Sequence, residues 1–359
     1  MASSGLSKVC IQKSIYEAVD VSSMLSHLGG MGKFVKKGER VLLKINMLSG
    51  MDPAKAVTTH PAVVSAVADA VIAQGGIPYI GDSPAGFFNR RSLEKAYERS
   101  GMKAIAKEKG IELSYDTGSR KVQIPGAKRL KHAPICNYIL NADKVIALPK
   151  LKTHAFMTLT LSTKLMYGAI PGINKTKYHS FFPNPNAFAD VLLDVFSARK
   201  PDLFIMDAIV GMHGNGPQNG KPIEIGLLLA SDDAIALDIT ACRIIGAEPM
   251  KIPVLKNAYL RKMWPARIEY PALRPDQVLI EGFELPSTAK ILGTSGLARI
   301  PSPNEKCIAC GKCQEICPRG AAKVIGGKAH IDLAKCIRCY CCHEVCPANA
   351  IDLIPPDKK

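Results

Sequence analysis

Nine cysteines crowd into a short stretch near the end of this chain, and they constrain its fold more than any other feature. All nine lie between Cys307 and Cys346, whereas the whole 359-residue chain has twelve. Residues 306–318 are repeated at 335–347, and each copy reads C-x2-C-x2-C-x3-C-P. Because the sequence shows no export signal, this crowding indicates metal binding rather than a disulfide framework.

The doubled run has the spacing of bacterial two-cluster iron–sulfur proteins, in which the fourth cysteine of each run ligates the other cluster. Three cysteines two residues apart let one tight loop hold three corners of a cubane, and the proline ends that loop. The sequence therefore predicts two [4Fe–4S] clusters. The expected ligands are Cys307, Cys310, Cys313 and Cys346 for one cluster, and Cys336, Cys339, Cys342 and Cys317 for the other.

Zinc is the alternative metal, since C-x2-C pairs also bind zinc. Zinc sites usually combine two such pairs, or one pair with histidines, so the four-cysteine run followed by proline favours iron–sulfur clusters. Cys341 is the ninth cysteine of the region and aligns with Lys312 of the first copy. We expect it to be a spare thiol close to a cluster. The scattered Cys10, Cys136 and Cys242 are expected in the core.

Chain length predicts a second, larger domain before the repeat, because 359 residues exceed one ordinary core. Residues 286–305 are rich in Pro, Ser, Gly and Thr, which indicates a linker. The expected domains are a body at 1–285 and a cysteine-rich module at 306–359. The module is expected to be a small α+β unit of βαββαβ type, too small for a strong apolar core, so that the clusters stabilise it.

The body alternates strand-like and helix-like segments, which predicts an α/β fold around a mostly parallel sheet. Strands are predicted at residues 41–46, 77–81, 144–148, 203–206 and 225–230. Helices are predicted at residues 60–74, 91–100, 102–109 and 232–245. Ligands of such sheets bind beyond the carboxyl ends of the strands.

Polar side chains follow several of these strands. Asp82 and Ser83 form a simple turn in one interpretation, and the residues from Lys150 to His154 form a solvated basic loop. In the other interpretation, Lys150, Lys152 and His154, with Lys164 and His179 further along the chain, bind a carboxylate or phosphate at the end of a strand. The anion-binding candidates are then Lys44, Lys150, Lys152 and His154, and the proton-handling candidates are His179 and Asp207.

The glycines at positions 211, 214 and 216 would permit unusual backbone angles or a close approach to a ligand. The chain has neither a strand–G-x-G-x-x-G–helix unit nor a G-x-x-x-x-G-K-[ST] loop, which argues against a dinucleotide site and a nucleotide triphosphatase.

The net charge of +16 would attract an anionic small molecule or an acidic redox protein. Nucleic acid is not expected, because no nucleic-acid fold signature is present and aromatic residues make up only 6%. No apolar run approaches the ~20 residues of a membrane span. A cytoplasmic location is therefore expected.

Motifs along the body occur in the order that is typical of the domain of unknown function 362 family, and the chain resembles that family from about residue 8 to 260. The motifs are KIN at 44–46, HP at 60–61, GDSP at 81–84, LPKLKTH at 148–154, MDAIVGMHGNGP at 206–217 and SDDAIALD at 231–238. The resemblance implies the fold and the iron–sulfur content, since members often end in the same paired ferredoxin repeat. This chain departs from the family at Ile45, where proline is usual, and at Leu165, where asparagine is usual.

Three functions remain open, because the chemistry of that family is not established. The leading hypothesis is an iron–sulfur oxidoreductase, in which electrons from a redox partner protein enter the module and reach a substrate or second cofactor in the body. The second is a non-enzymatic electron carrier or redox-responsive binding protein. The third is a non-redox enzyme, such as an isomerase, with structural clusters.

Overall fold

The computed structural model describes residues 5–172, 174–289 and 298–356. Its strands are β1 (Leu6–Lys8), β2 (Cys10–Lys13), β3 (Arg40–Ile45), β4 (Ile77–Gly81), β5 (Glu112–Leu113), β6 (Ser119–Gln123), β7 (His132–Cys136), β8 (Lys144–Leu148), β9 (Lys150–His154), β10 (Thr158–Leu159), β11 (Leu203–His213), β12 (Lys221–Ser231), β13 (Arg267–Glu269), β14 (Ile300–Pro303), β15 (Ala322–Ile325), β16 (Lys328–Ile331) and β17 (Ile351–Ile354). Its α-helices are α1 (Val21–Ser26), α2 (Pro61–Ala73), α3 (Arg90–Arg99), α4 (Met102–Lys109), α5 (Asn137–Leu140), α6 (Leu161–Leu165), α7 (Asn174–Phe181), α8 (Pro185–Ala198), α9 (Ala234–Ile244), α10 (Pro253–Leu260), α11 (Lys312–Ile316) and α12 (Cys341–Glu344).

A nine-stranded sheet forms the centre of the body. Strands β8, β3, β4 and β5 pair in parallel in that order. Strand β11 pairs in parallel with both β8 and β9, and it pairs antiparallel with β12, which in turn pairs with β2. The prediction of an α/β body with a mostly parallel sheet is confirmed.

Each face of the sheet is covered by its own apolar layer. Side chains of β3 alternate between the two layers, because successive residues of a strand point to opposite faces. Val41, Leu43 and Ile45 join the layer that contains residues of α2, α3 and α4. Leu42 joins the layer that contains residues of α6, α8, α9 and α10. Lys44 is therefore on the Leu42 side, at the carboxyl end of the strand.

Predicted and observed elements of the body differ most at β11. It was expected to end at Met206, but it continues to His213 in an antiparallel ladder with β12. The buried charge of Asp207 lies inside this strand, where Asp207 is opposite Lys150 of β9. A charged residue is compatible with a central strand here because its partner is on the neighbouring strand.

The C-terminal module has the element order β14–α11–β15–β16–α12–β17, with β14 paired to β17 and β15 paired to β16. Its first strand lies inside the segment that we predicted as a linker. Pro301 and Pro303 suggested irregular structure, but prolines are tolerated where a strand needs no further partner for its N–H groups. Residues 290–297 of the predicted linker lie outside the described residues.

Candidate functional site

The eight cysteines of the repeat line two cavities, in the same two sets that the sequence predicted. Cys307, Cys310, Cys313 and Cys346 line the first cavity. Cys317, Cys336, Cys339 and Cys342 line the second, together with the additional thiol of Cys341. The fourth cysteine of each run therefore lies with the first three of the other run. The sulfurs surround a space rather than a point, since no three His, Cys, Asp or Glu side chains in the described ranges are placed to hold a single metal ion.

The sequence repeat is also a repeat of backbone conformation. Ala309 and the equivalent Arg338 both have left-handed φ values, 53° and 55°. Gly311 and the equivalent Tyr340 follow with 76° and 62°, and each directly precedes a short helix. Non-glycine residues rarely adopt this conformation. Its recurrence at equivalent positions indicates that both loops place their cysteines in the same way.

Backbone N–H groups donate hydrogen bonds to cysteine sulfurs of both sets. The pairs are Ala329 to Cys307 at 3.3 Å, Ala321 to Cys317 at 3.2 Å, Arg338 to Cys336 at 3.4 Å and Ala350 to Cys346 at 3.2 Å. Hydrogen bonds to the sulfurs tune the reduction potential of an iron–sulfur cluster. The cysteine sets and these donors thus fit the cluster that the spacing implies.

The two cysteine sets differ in their exposure. Cys310 of the first set is exposed, and the neighbouring Ile308 is 66% exposed. Each set has two buried cysteines, Cys313 and Cys346 in the first and Cys339 and Cys342 in the second. Tyr340 of the second run belongs to an apolar layer of the body. The first set is accordingly accessible at Cys310, and the second lies at the junction with the body.

Helix α12 docks on the loop that follows β11. Asn219 donates to the carbonyl of His343 at 2.5 Å, and Gln218 donates to the carbonyl of Cys346 at 3.3 Å. Gly216 of this loop must lack a side chain, because a Cβ there would lie 2.4 Å from the carbonyl oxygen of Thr153. The glycine thus allows close approach to β9, where the sequence suggested approach to a ligand.

Two buried ion pairs join the polar motifs of the body. Lys44 Nζ lies 2.7 Å from Asp82 Oδ1, and Lys150 Nζ lies 2.7 Å from Asp207 Oδ2. All four side chains are at most 5% exposed. Three of the six predicted catalytic residues, namely Lys44, Lys150 and Asp207, therefore have buried partners of opposite charge.

Tyr16 completes the second ion pair and was missed by the sequence analysis. Its hydroxyl donates to Asp207 at 3.1 Å and accepts from Lys150 at 2.8 Å, and its ring stacks on His60 at 3.6 Å. Burial lowers the pKa of Lys150, and the Asp207 carboxylate opposes that shift. No sequence signal marks Tyr16, because it is far from its partners along the chain.

The interpretation of the segment from Lys150 to His154 as a solvated loop is wrong. It forms β9, in which Lys150 is 0%, Lys152 1% and His154 3% exposed. Burial of a charged lysine costs folding free energy when no carboxylate lies beside it.

A third cavity, of about 90 Å³, lies beyond the carboxyl ends of β3 and β4 and along β9. Its wall includes Asn46, Lys152, His154, Thr160, Lys164 and Lys175. Among the predicted catalytic residues, Lys152 and His154 are in this wall. Burial lowers the pKa of Lys164 and Lys175 to about 8, and it lowers that of Lys152 well below its usual range.

The three lysines of the wall differ in their hydrogen bonds. Lys175 is saturated, because it donates to the Ser83 carbonyl at 2.6 Å, the Ser83 hydroxyl at 2.8 Å and the Pro84 carbonyl at 3.1 Å. Lys152 donates to the Val57 carbonyl at 2.5 Å. The ammonium of Lys164, which is partly exposed, has neither a hydrogen bond nor an ion pair with any residue that the structure describes, and the Glu344 carboxylate raises its pKa only from a longer distance.

Asp238, the last residue of the SDDAIALD motif, positions the helix that carries Lys164. Its carboxylate accepts from the N–H of Ser162 at 2.7 Å and from the N–H and hydroxyl of Thr163 at 3.0 and 2.8 Å. It thus satisfies N–H groups at the start of α6, which have no partner inside the helix. Burial raises the pKa of Asp238 to about 6.

His154 and Glu344 connect the cavity to the C-terminal module. His154 Nδ1 accepts the N–H groups of Phe156 at 3.2 Å and Met157 at 3.4 Å, and it lies 3.3 Å from Glu344 Oε1. Burial lowers the pKa of His154 well below its usual range and raises that of Glu344 to about 7. Because Nδ1 accepts these two N–H groups and burial lowers the pKa of the imidazole, His154 is uncharged and the contact with Glu344 is not a salt bridge.

His179 packs behind the cavity, in an aromatic environment. Its ring stacks on Phe188 at 4.2 Å and lies 5.3 Å from Phe156. Its buried Nδ1 has no hydrogen-bond partner among the described residues, and burial lowers the pKa of its imidazole to about 3. The structure thus places this predicted proton-handling residue beside the cavity rather than in its wall.

Comparison with known proteins gives a family for the chain and a cofactor for its C-terminal module. The family described as "Domain of unknown function (DUF362)" matches residues 41–243, and the "4Fe-4S dicluster domain" matches residues 299–347. The thylakoid-associated protein sll1697 of Synechocystis sp. is 36% identical over 283 residues, which cover 77% of this chain and 86% of that protein. Within the described ranges, no helix is long and apolar enough to cross a membrane.

Among solved structures, the lactate racemase apoprotein from Thermoanaerobacterium thermosaccharolyticum resembles this chain with a TM-score of 0.41 and 13% identity. The similarity covers 65% of this chain and 55% of that protein. The first family match spans more than half of the chain. The protein therefore belongs to the family of the domain of unknown function 362 and carries a C-terminal 4Fe–4S domain.

Proposed function

We propose that this protein is an iron–sulfur oxidoreductase that transfers electrons through two [4Fe–4S] clusters to a substrate or second cofactor in the α/β body. The position of α12 supports this most directly. This helix carries Cys342 of the second cysteine set, and its last residue, Glu344, lies 3.3 Å from His154 in the cavity wall. One helical turn thus joins a cluster site to a buried polar cavity.

The exposure of the cysteines indicates where a redox partner protein would bind. Each bound cluster would supply a one-electron carrier, and two of them suit a two-electron reduction. The exposed Cys310 is accessible to a redox partner protein, whereas Tyr340 of the second run packs into an apolar layer of the body. The net charge of +16 favours an acidic partner.

Reoxidation of the reduced protein tests this function. Full-length protein is purified and reduced without oxygen, mixed with the small-molecule fraction of cells, and followed by its visible absorbance. The wild type should be reoxidised, Lys164→Gln should be reoxidised much more slowly at the same iron content, and Lys177→Gln, an exposed control, should match the wild type. Equal rates for wild type and Lys164→Gln would place the acceptor elsewhere. Reoxidation by a protein fraction alone would favour a non-enzymatic electron carrier.

The location of the protein is a separate part of this proposal. We propose a cytoplasmic location, as expected from the sequence. The related protein sll1697 is named for an association with thylakoids. Recovery of this protein in the membrane fraction of its own cells would contradict the cytoplasmic assignment.

A further inference from the structure

Among the described residues, the wall of the cavity has three lysines, Lys152, Lys164 and Lys175, and one carboxylate, Asp82, which pairs with Lys44. Lys44 and one further buried lysine each have a carboxylate at 2.7 Å. By contrast, no carboxylate within residues 5–172, 174–289 and 298–356 forms an ion pair with the buried Lys152 or the partly exposed Lys164. Glu344 contacts His154 and acts on both lysines only from a longer distance. An unpaired charge is costly away from water. An anionic ligand would supply the missing partner.

Hydrogen-bond donors in the same wall also lack acceptors. Within the part of the chain that the structure describes, the buried Thr160 Oγ1 has no hydrogen-bond partner, and the side-chain amide of Asn46 makes no hydrogen bond. The ammonium of Lys164 is a third unused donor. Carboxylate and phosphate oxygens accept strong hydrogen bonds from such groups. The wall is therefore complementary to an oxyanion.

The volume of the cavity limits what can bind. Its volume is about 90 Å³, and one water needs ~10–15 Å³, so the space holds roughly six waters. Drug-sized ligands usually occupy ~300–1,000 Å³, which is also the scale of flavins and nucleotides. Half-buried Leu48 and Ala85 mark the side on which the cavity approaches the surface. A small anion fits this space, whereas a large cofactor does not.

We propose that this cavity binds a small oxyanion, either a carboxylate or an inorganic phosphate, through the Lys164 ammonium, the Thr160 hydroxyl and the Asn46 amide. Lys164 is fixed for this role because Asp238 holds the start of α6. The identification of this anion as the electron acceptor rests on the proposed function, but its binding does not require electron transfer.

Calorimetric titration of the oxidised, full-length protein with acetate and, separately, with inorganic phosphate at constant ionic strength tests the site. One of the two should bind at a single site, and the one that binds identifies the class of anion. Lys164→Gln should weaken binding at least about tenfold, since a charge-assisted hydrogen bond is lost. Lys177→Gln is the exposed control and should bind as the wild type does.

Two further variants show whether weaker binding by Lys164→Gln comes from a folding defect. Lys164→Arg keeps the charge and should keep most of the affinity, and Thr160→Val removes only a hydroxyl and should weaken binding several-fold. Absence of binding by both probes, or unchanged binding by Lys164→Gln, would overturn the site. An anion that binds to the site but never reoxidises the reduced protein would overturn the proposed function and leave this inference intact.

Discussion

Glu344 of the C-terminal module and His154 of the body lie with Oε1 and Nδ1 3.3 Å apart, and both side chains are buried. The first copy of the cysteine repeat has the equivalent Glu315, which is exposed. The same residue type in two equivalent positions thus has two environments, one in solvent and one at the cavity wall. This asymmetry shows which half of the module is joined to the body.

The first prediction concerns that contact. Glu344→Ala should lower the free energy of unfolding by about 1–3 kcal/mol, because a buried polar contact is lost and a hole is left at the junction. Glu315→Ala is the matched control and should leave stability unchanged. Urea unfolding under anaerobic conditions measures both variants. Equal effects of the two substitutions would show that the Glu344 contact does not stabilise the junction.

A second prediction distinguishes Cys342, an expected cluster ligand, from Cys341, the expected spare thiol. Cys342→Ala should remove about half of the iron and sulfide per chain, because it deletes one ligand of the second set. Cys341→Ala, one residue away, should retain the full content. Iron and sulfide analysis of anaerobically purified variants decides between them. If only Cys341→Ala lost iron, Cys341 would be the cluster ligand and Cys342 the spare thiol.

The third prediction concerns the buried pair of Lys150 and Asp207. Asp207→Ala should lower the free energy of unfolding by about 3–5 kcal/mol, because it leaves the ammonium of Lys150 unpaired at 0% exposure. The double variant Lys150→Met, Asp207→Leu should lower the free energy of unfolding much less, because it leaves neither charge unpaired. Removal of the exposed pair of Lys251 and Glu248 should have no measurable effect. An Asp207→Ala protein as stable as the wild type would contradict this role.

A fourth prediction uses the lowered pKa of His179. Burial gives this imidazole a pKa of about 3 in the folded protein, against about 6.5 when unfolded, so the unfolded chain takes up the proton first. Its contribution to stability is therefore present above pH 6.5 and is lost as the pH falls. Between pH 7 and pH 5 the loss should be about 2 kcal/mol.

His179→Phe is the variant that checks this pH dependence, because phenylalanine suits the aromatic surroundings and cannot be protonated. The unfolding free energies of wild type and variant, compared at pH 7 and pH 5, should diverge in favour of the variant at pH 5. Parallel values at the two pH points would show that His179 titrates normally.

The module was largely predictable because its spacing carries the information. Three cysteines in one loop are local, so the two sets could be assigned from sequence, and the structure places each set around one cavity. The start of the module was not predictable, since Pro301 and Pro303 are typical of linkers and only their pairing with β17 makes them a strand.

The candidate site in the body was harder to predict, because its contacts join distant parts of the chain. The motifs located Lys44, Asp82, Lys150 and Asp207, but no pattern reveals that they pair with each other. Lys164 lay outside the predicted catalytic set. Its importance follows from what surrounds it, namely a cavity and the absence of a described partner, and such features exist only in the folded chain.

The most direct test of the central claim is the iron and sulfide content of protein purified without oxygen, measured together with its electron paramagnetic resonance after reduction. Two [4Fe–4S] clusters predict about eight irons and eight sulfides per chain, and spectra of two interacting reduced clusters. Zinc in place of iron, or protein that remains colourless and without metal, would contradict the account.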